Sequence, residues 1–213
     1  MADVRPFVCH RPTAELAPEV AALPYDVFSR EEAAHEIAQH PYSFLRIDKT
    51  TALLPREVGE YDPQVYAKAA ELLLADTGSG VFVRDDQPCY YLYRLSQGSH
   101  AQTGIVAAIA IDDYLGNVLK RHENTRPVKL TDRIAHITAL GAQTGPVFVT
   151  YRAQPAIDQA VDQATATPPL YDFTAPDGVQ HTVWRIASAT LQARIKSAFA
   201  TVKALYIADG HHR

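Results

Sequence analysis

The stretch Ala204-Leu205-Tyr206-Ile207-Ala208-Asp209-Gly210-His211-His212-Arg213 decides how the rest of the chain is read. Its first half is an apolar run of strand type that stops at Asp209-Gly210, and three side chains able to hold an anion follow at once. A strand that ends in Asp-Gly ahead of a helix is one way to build a phosphate site. The unpaired N–H groups of the first helical turn point at the anion, glycine allows close approach, and an arginine adds a forked charge. The stretch therefore predicts a following helix and assigns Gly210, His211, His212 and Arg213 to phosphate binding. The plainer alternative is an Asp-Gly turn carrying two surface histidines. The site is favoured by crowding: an acid, two imidazoles and a guanidinium collect at the carboxyl end of a buried-type strand, where open α/β layers take ligands.

Composition narrows the classes. With 213 residues, 47% of them hydrophobic and 21% charged, the chain is long enough for one large domain or two small ones with real cores. Lys and Arg total 20 against 24 acidic residues, a net charge of −4 with no dense basic block, which disfavours nucleic acid as the main partner. Cys9 and Cys89 are the only cysteines, and Met1-Ala2-Asp3-Val4-Arg5-Pro6 lacks the apolar core of a signal peptide. No apolar run approaches bilayer length. The expectation is a cytoplasmic protein with free thiols and no membrane partner. No internal repeat and no zinc-type Cys/His spacing is found.

Along the chain, a short strand is expected over 4–9 and a helix over 14–22, ended by Pro24. Ser29 with Glu32 forms a capping box for a helix through Ile37. Asp26, in Pro24-Tyr25-Asp26-Val27, is either a turn acid or a site carboxylate. Residues 40–47 alternate and read as a strand, with Arg46 either an edge charge or an anion ligand. A helix over 65–75, stopped by Gly78 and Gly80, precedes an antiparallel meander over 81–115 that is expected to sit against it. Tyr90, Tyr91 and Tyr93 read as a half-buried strand face ahead of a base-stacking platform. Further on come a helix from Thr131 or Asp132 to Gly141, a buried strand over 145–151, a helix over 156–164, a hairpin turning at 172–178, and a helix over 190–200.

Between Val118 and Arg133 the charge pattern turns unusual, with Lys120, Arg121, His122, Arg126, Lys129 and Arg133 flanking Glu123. It reads either as a solvated loop of mixed charge or as a place where polyphosphate is attracted.

Two segments together carry a resemblance. Lys120-Arg121-His122-Glu123 before a helix, with a later strand ending in Asp209-Gly210-His211-His212-Arg213, resembles the ParB/sulfiredoxin-type fold of free L-serine kinases. Over nearly its whole length the chain looks like the first half of the family known as DUF1015. The markers are Pro24-Tyr25-Asp26-Val27, Pro41-Tyr42-Ser43-Phe44-Leu45-Arg46, His122-Glu123 with Thr125-Arg126-Pro127, and Thr144-Gly145-Pro146-Val147.

The resemblance implies a phosphotransferase acting on a small hydroxyl compound, free L-serine first among them, with ATP, ADP, pyrophosphate or polyphosphate as donor. It makes Glu123 the general base and lets Asp209 organise Mg²⁺ or the substrate. His211, His212 and Arg213 hold the donor phosphates, with His122, Arg126, Asp26 and Arg46 as accessory residues. Family members continue past the terminal motif, so the resemblance also implies a longer parent and little activity for these residues alone. A non-catalytic nucleotide- or phosphate-binding module is the alternative.

The fold class expected is α+β, a mixed sheet with an antiparallel meander flanked by helices. An N-terminal region is expected over 1–117 and a ParB/sulfiredoxin-like region over 118–213. A shared site further requires Glu123 and Asp209 on one face.

Overall fold

The structure, a computed structural model, describes residues 1–212. The chain opens with β1 (Val4–Arg5), β2 (His10–Pro12), α1 (Ala17–Val20), α2 (Arg30–Gln39), α3 (Leu45–Asp48) and α4 (Pro63–Ser79). Strands β3 (Phe82–Arg84), β4 (Tyr90–Gln97), β5 (His100–Val106) and β6 (Ala108–Ile109) follow, then α5 (Ile111–Leu115) and β7 (Leu119–Lys120). The remainder is α6 (Pro127–Leu140), β8 (Phe148–Thr150), α7 (Pro155–Thr165), β9 (Tyr171–Thr174), β10 (Gln180–Ile186), α8 (Ala189–Phe199) and β11 (Leu205–Asp209). The fold is α+β, with antiparallel and mixed sheets. The chain passes back and forth between two compact units. The first holds Met1–His10, Arg84–Glu123 and Val147–His211, the second mainly Arg11–Val83 and Asn124–Pro146.

In the first unit β4 and β10 form the centre of an antiparallel sheet ordered β5-β4-β10-β9. Their register sets Trp184 opposite Leu92 and Ile186 opposite Tyr90, so the inward residues of both strands meet on one face. Helices α7 and α8 supply the covering layer. Ile157, Ala160 and Ala164 recur at helical spacing in α7, as do Leu191, Ile195 and Ala198 in α8, and all are buried in the same core as the strand residues. Ser188 caps α8 through its hydroxyl, which accepts from the Leu191 N–H at 3.5 Å.

Tyr90 belongs to this packing, and its hydroxyl donates to the Val4 carbonyl at 2.8 Å, whereas Tyr91 is buried on the opposite face against the Phe7 ring and bonds Asp85. Burial holds the Tyr90 hydroxyl in its protonated form, its pKa pushed up to about 12. A second sheet, β7-β11-β8, contributes Leu205 and the flanking Val118, Leu119 and Val149 to the same core.

The second unit is mainly helical. Ser29 and Glu32 form the full capping box at α2, with the Ser29 N–H donating to Glu32 at 2.8 Å. Asp62 caps α4, Pro63 takes its first position, and Gly80 ends it in a left-handed conformation at φ 86°. Val20, Ile47, Ala69 and Phe82 form one core cluster; Ala33, Ile37 and Leu45 form another.

Three local expectations differ from the structure. Residues 40–47 form a turn and α3, not a strand. Strand β3 pairs with β2 and not with β4, so the antiparallel ladder begins only at Tyr90. Helix α4 packs with α3 and α6 in its own unit, and it is α7 and α8 that cover the sheet.

Candidate functional site

The site is built by the one parallel strand pair among the described residues. Strands β7 and β11 run side by side with Leu119 opposite Leu205 and Lys120 opposite Tyr206. Parallel neighbours end at the same edge. The chain leaving β7 as Arg121-His122-Glu123 therefore emerges beside the chain leaving β11 as Gly210-His211. The strands are held there by alternation: Leu205 and Ile207 are buried, while Tyr206 and Asp209 are exposed.

The end of β11 departs from regular geometry. Its register against β8 shifts between Ile207, opposite Val149, and Asp209, opposite Phe148, a bulge that turns the strand as it ends. Gly210 follows at φ 79°, in the left-handed region that glycine enters without a Cβ clash.

Three side chains meet at this edge. The Nδ1 of His122 lies 2.9 Å from the Ile207 carbonyl. A carbonyl only accepts, so Nδ1 carries the proton and Nε2 keeps the lone pair of the neutral ring. Glu123 is in direct contact with His211 through Oε1 and Nε2, with side chains 50% and 18% exposed. The two imidazole rings meet edge to face, 5.1 Å between centroids. One ligand atom from each of His122, Glu123 and His211 lies within 4.8 Å of the others.

Asp209 closes β11 at the same edge. His212 belongs with the second unit, where its Nδ1 accepts a long, weak bond of 3.4 Å from the Arg126 N–H at the start of α6. Arg213 lies outside the described residues.

The other accessory residues sit in the second unit. Asp26 is exposed on a 3₁₀ turn over Tyr25–Val27. Arg46 is not an edge charge: it is ion-paired with Asp76, with side chains 17% and 10% exposed.

Sequence reasoning missed a polar network in that unit. Tyr66 donates to Asp132 at 3.0 Å, and Arg133 holds the same carboxylate at 2.8 Å while its guanidinium covers the Tyr25 ring at 4.7 Å. Burial and the bond to Asp132 push the Tyr66 pKa up to about 12, so it stays a donor. His136 lies 3.1 Å from the Ile47 carbonyl, and Thr144 donates to Asp48 at 2.8 Å. All of these residues except Thr144 line a cavity of about 20 Å³, room for a water and not for a metabolite.

The cluster in the first unit can accept a proton at a carboxylate, offer imidazoles to an anion, or ligate a cation. It does not fit Mg²⁺, which favours near-octahedral oxygen coordination, because two of the three donors are imidazole nitrogens.

Fold and site thus define an α+β protein with a His/Glu/His group at the shared carboxyl edge of a parallel strand pair. The chain belongs to the family described as protein of unknown function, DUF1015, whose profile matches residues 4–213. No curated protein and no solved structure matches it. No helix among the described residues is long and apolar enough to cross a membrane.

Proposed function

We propose that the chain belongs to a phosphotransferase acting on a small hydroxyl compound, with free L-serine the leading substrate. The observation that supports this most is the contact of Glu123 with His211 at the edge where β11 ends in Asp209-Gly210. Phosphoryl transfer asks the protein for a base beside the acceptor hydroxyl and for positive charge around the donor. In this reading Glu123 accepts the hydroxyl proton. The hydroxyl oxygen forms the new P–O bond as the bond to the leaving phosphate breaks. His211, His212 and Arg213 hold the donor phosphates, and Asp209 orients the acceptor.

ATP, ADP, pyrophosphate and polyphosphate all suit such an anion site. Mg²⁺ enters this proposal only as the donor's own counter-ion. A ParB/sulfiredoxin-like element over 118–213 and a cytoplasmic setting belong to the same reading. A non-catalytic phosphate-binding module is the second reading, favoured by the engagement of Glu123 with an imidazole of its own chain.

The test is a phosphotransfer screen of four donors against hydroxy amino acids, using the full-length parent. Glu123→Gln is expected to lower kcat about 100- to 10,000-fold with little change in donor affinity. Absence of turnover with every donor, alongside measurable nucleotide binding, would replace the kinase reading with the binding module.

A further inference from the structure

The chemistry of the edge cluster supports a use that neither proton transfer nor phosphate binding explains. Three features stand together. Ligand atoms of His122, Glu123 and His211 lie within 4.8 Å of one another, so a single ion can reach all three with small side-chain adjustments. His122 is fixed as metal-binding imidazoles usually are: its Nδ1–H is tied to a backbone carbonyl at 2.9 Å, which sets the tautomer and leaves Nε2 as the ligand atom. That carbonyl belongs to Ile207, a buried residue paired with Val149 of β8, so the anchor itself is part of a sheet. The group also opens to solvent, because the Glu123 side chain is half exposed.

Two imidazoles and one carboxylate are a borderline donor set. They suit a first-row transition ion, whereas Mg²⁺ and Ca²⁺ select oxygen. The geometry points to a binding site for a divalent ion of the zinc class, ligated by His122 Nε2, His211 Nε2 and the Glu123 carboxylate. Three protein ligands leave a position for water, the arrangement of an open zinc site.

The site does not depend on the phosphotransfer reading, but it bears on it. An ion on Glu123 uses the lone pair that a general base needs, so an occupied site holds the base out of action.

Cobalt(II) is the probe, because its visible absorption reports imidazole and carboxylate ligation directly. Chain freed of any affinity tag and treated with chelator is titrated with Co²⁺ at fixed pH. The expected result is a saturable absorption band at one ion per chain, displaced by stoichiometric Zn²⁺ and unaffected by a large excess of Mg²⁺. His122→Ala and His211→Ala should each weaken binding at least about tenfold. His10→Ala, at an exposed imidazole elsewhere in the same unit, should leave it unchanged. Circular dichroism on each variant separates lost ligation from lost fold, and His122 is exposed enough for replacement to be tolerated. No cobalt band, or a titration that both histidine variants leave unaltered, would overturn the proposal. Substrate turnover plays no part in the readout, so the failure of either reading is visible without the other.

Discussion

Removing Asp76 tests whether Arg46 is a structural cation or an anion ligand. Arg46 in α3 and Asp76 in α4 form an ion pair with side chains only 17% and 10% exposed, and Arg46 Nε has no hydrogen-bond partner among the described residues. The carboxylate is thus the main compensation for a largely desolvated guanidinium. Breaking one side of a buried pair costs about 3–5 kcal/mol, and the residual exposure argues for the lower end, about 3 kcal/mol, for Asp76→Ala. On a chain of this size that corresponds to a drop in Tm of roughly 6–12 °C. The double replacement Arg46→Met with Asp76→Leu removes both charges and should lie within about 1 kcal/mol of the parent. Urea unfolding followed by circular dichroism measures these proteins and the single variant Arg46→Met. The reasoning fails if Asp76→Ala changes stability by less than about 1 kcal/mol. It fails equally if Arg46→Met leaves unfolding unchanged while abolishing phosphate or nucleotide binding.

Burial lowers the pKa of His136 below the usual imidazole range, and the nearby Arg133 charge adds to this, against the Ile47 carbonyl and the carboxylates of Asp48 and Asp132. The unfolded chain therefore binds the proton first. The stabilisation is fully present above about pH 6.5 and is lost as pH falls from there toward the depressed folded value. Urea midpoints taken between pH 7.5 and 5.5 should fall more steeply for the parent than for His136→Gln, and parallel slopes would contradict this. Gly210→Ala places a Cβ at φ 79° and should cost roughly 1–2 kcal/mol in urea unfolding. An unchanged midpoint would mean that the turn relaxes freely.

The segment over 40–47 shows why a local pattern can be read correctly and assigned wrongly. Ser43, Leu45 and Ile47 are buried while Tyr42, Phe44 and Arg46 are not, which is the alternation of a strand. In a helix, residues two apart point to nearly opposite sides. Leu45 enters the cluster of Ala33 and Ile37, and Ile47 enters that of Val20 and Ala69, so a single helical turn covered on both sides reproduces a period of two. Helices α4, α7 and α8 have one covered face, and for them periodicity and capping residues were sufficient. The partner of β4 on its other side is β10, far along the chain, and no local signal carries that pairing.

The markers of the second unit follow a similar logic. Tyr25 lies under Arg133, Ile47 supplies its carbonyl to His136, and Thr144 binds Asp48, so Tyr25 and Thr144, which the sequence offered only within family markers, belong to one polar network. The charged run over 118–127 and residues 209–211 are different, because their polar groups meet at one strand edge, where Glu123 contacts His211. The metal-type donor set escaped sequence reading because two of its members are adjacent and the third arrives on another strand; only the parallel pairing of β7 with β11 joins them.

Several departures from regular structure in the first unit fall at that same edge. A register shift interrupts the β11 ladder at Ile207/Asp209, Gly210 turns through the left-handed region, and a backbone carbonyl of the bulged strand holds the His122 ring. A sequence selected only for stability has reason to keep a strand regular and its end apolar, since each irregularity forgoes ladder bonds or adds conformational cost. Here the irregularities act together: the bulge and the Gly210 turn reshape the end of β11, and His211 follows them into contact with Glu123, while the Ile207 carbonyl fixes the tautomer of His122. Local rules are broken where the side chains with the most chemistry converge, which is the pattern of a functional site rather than of a frayed end.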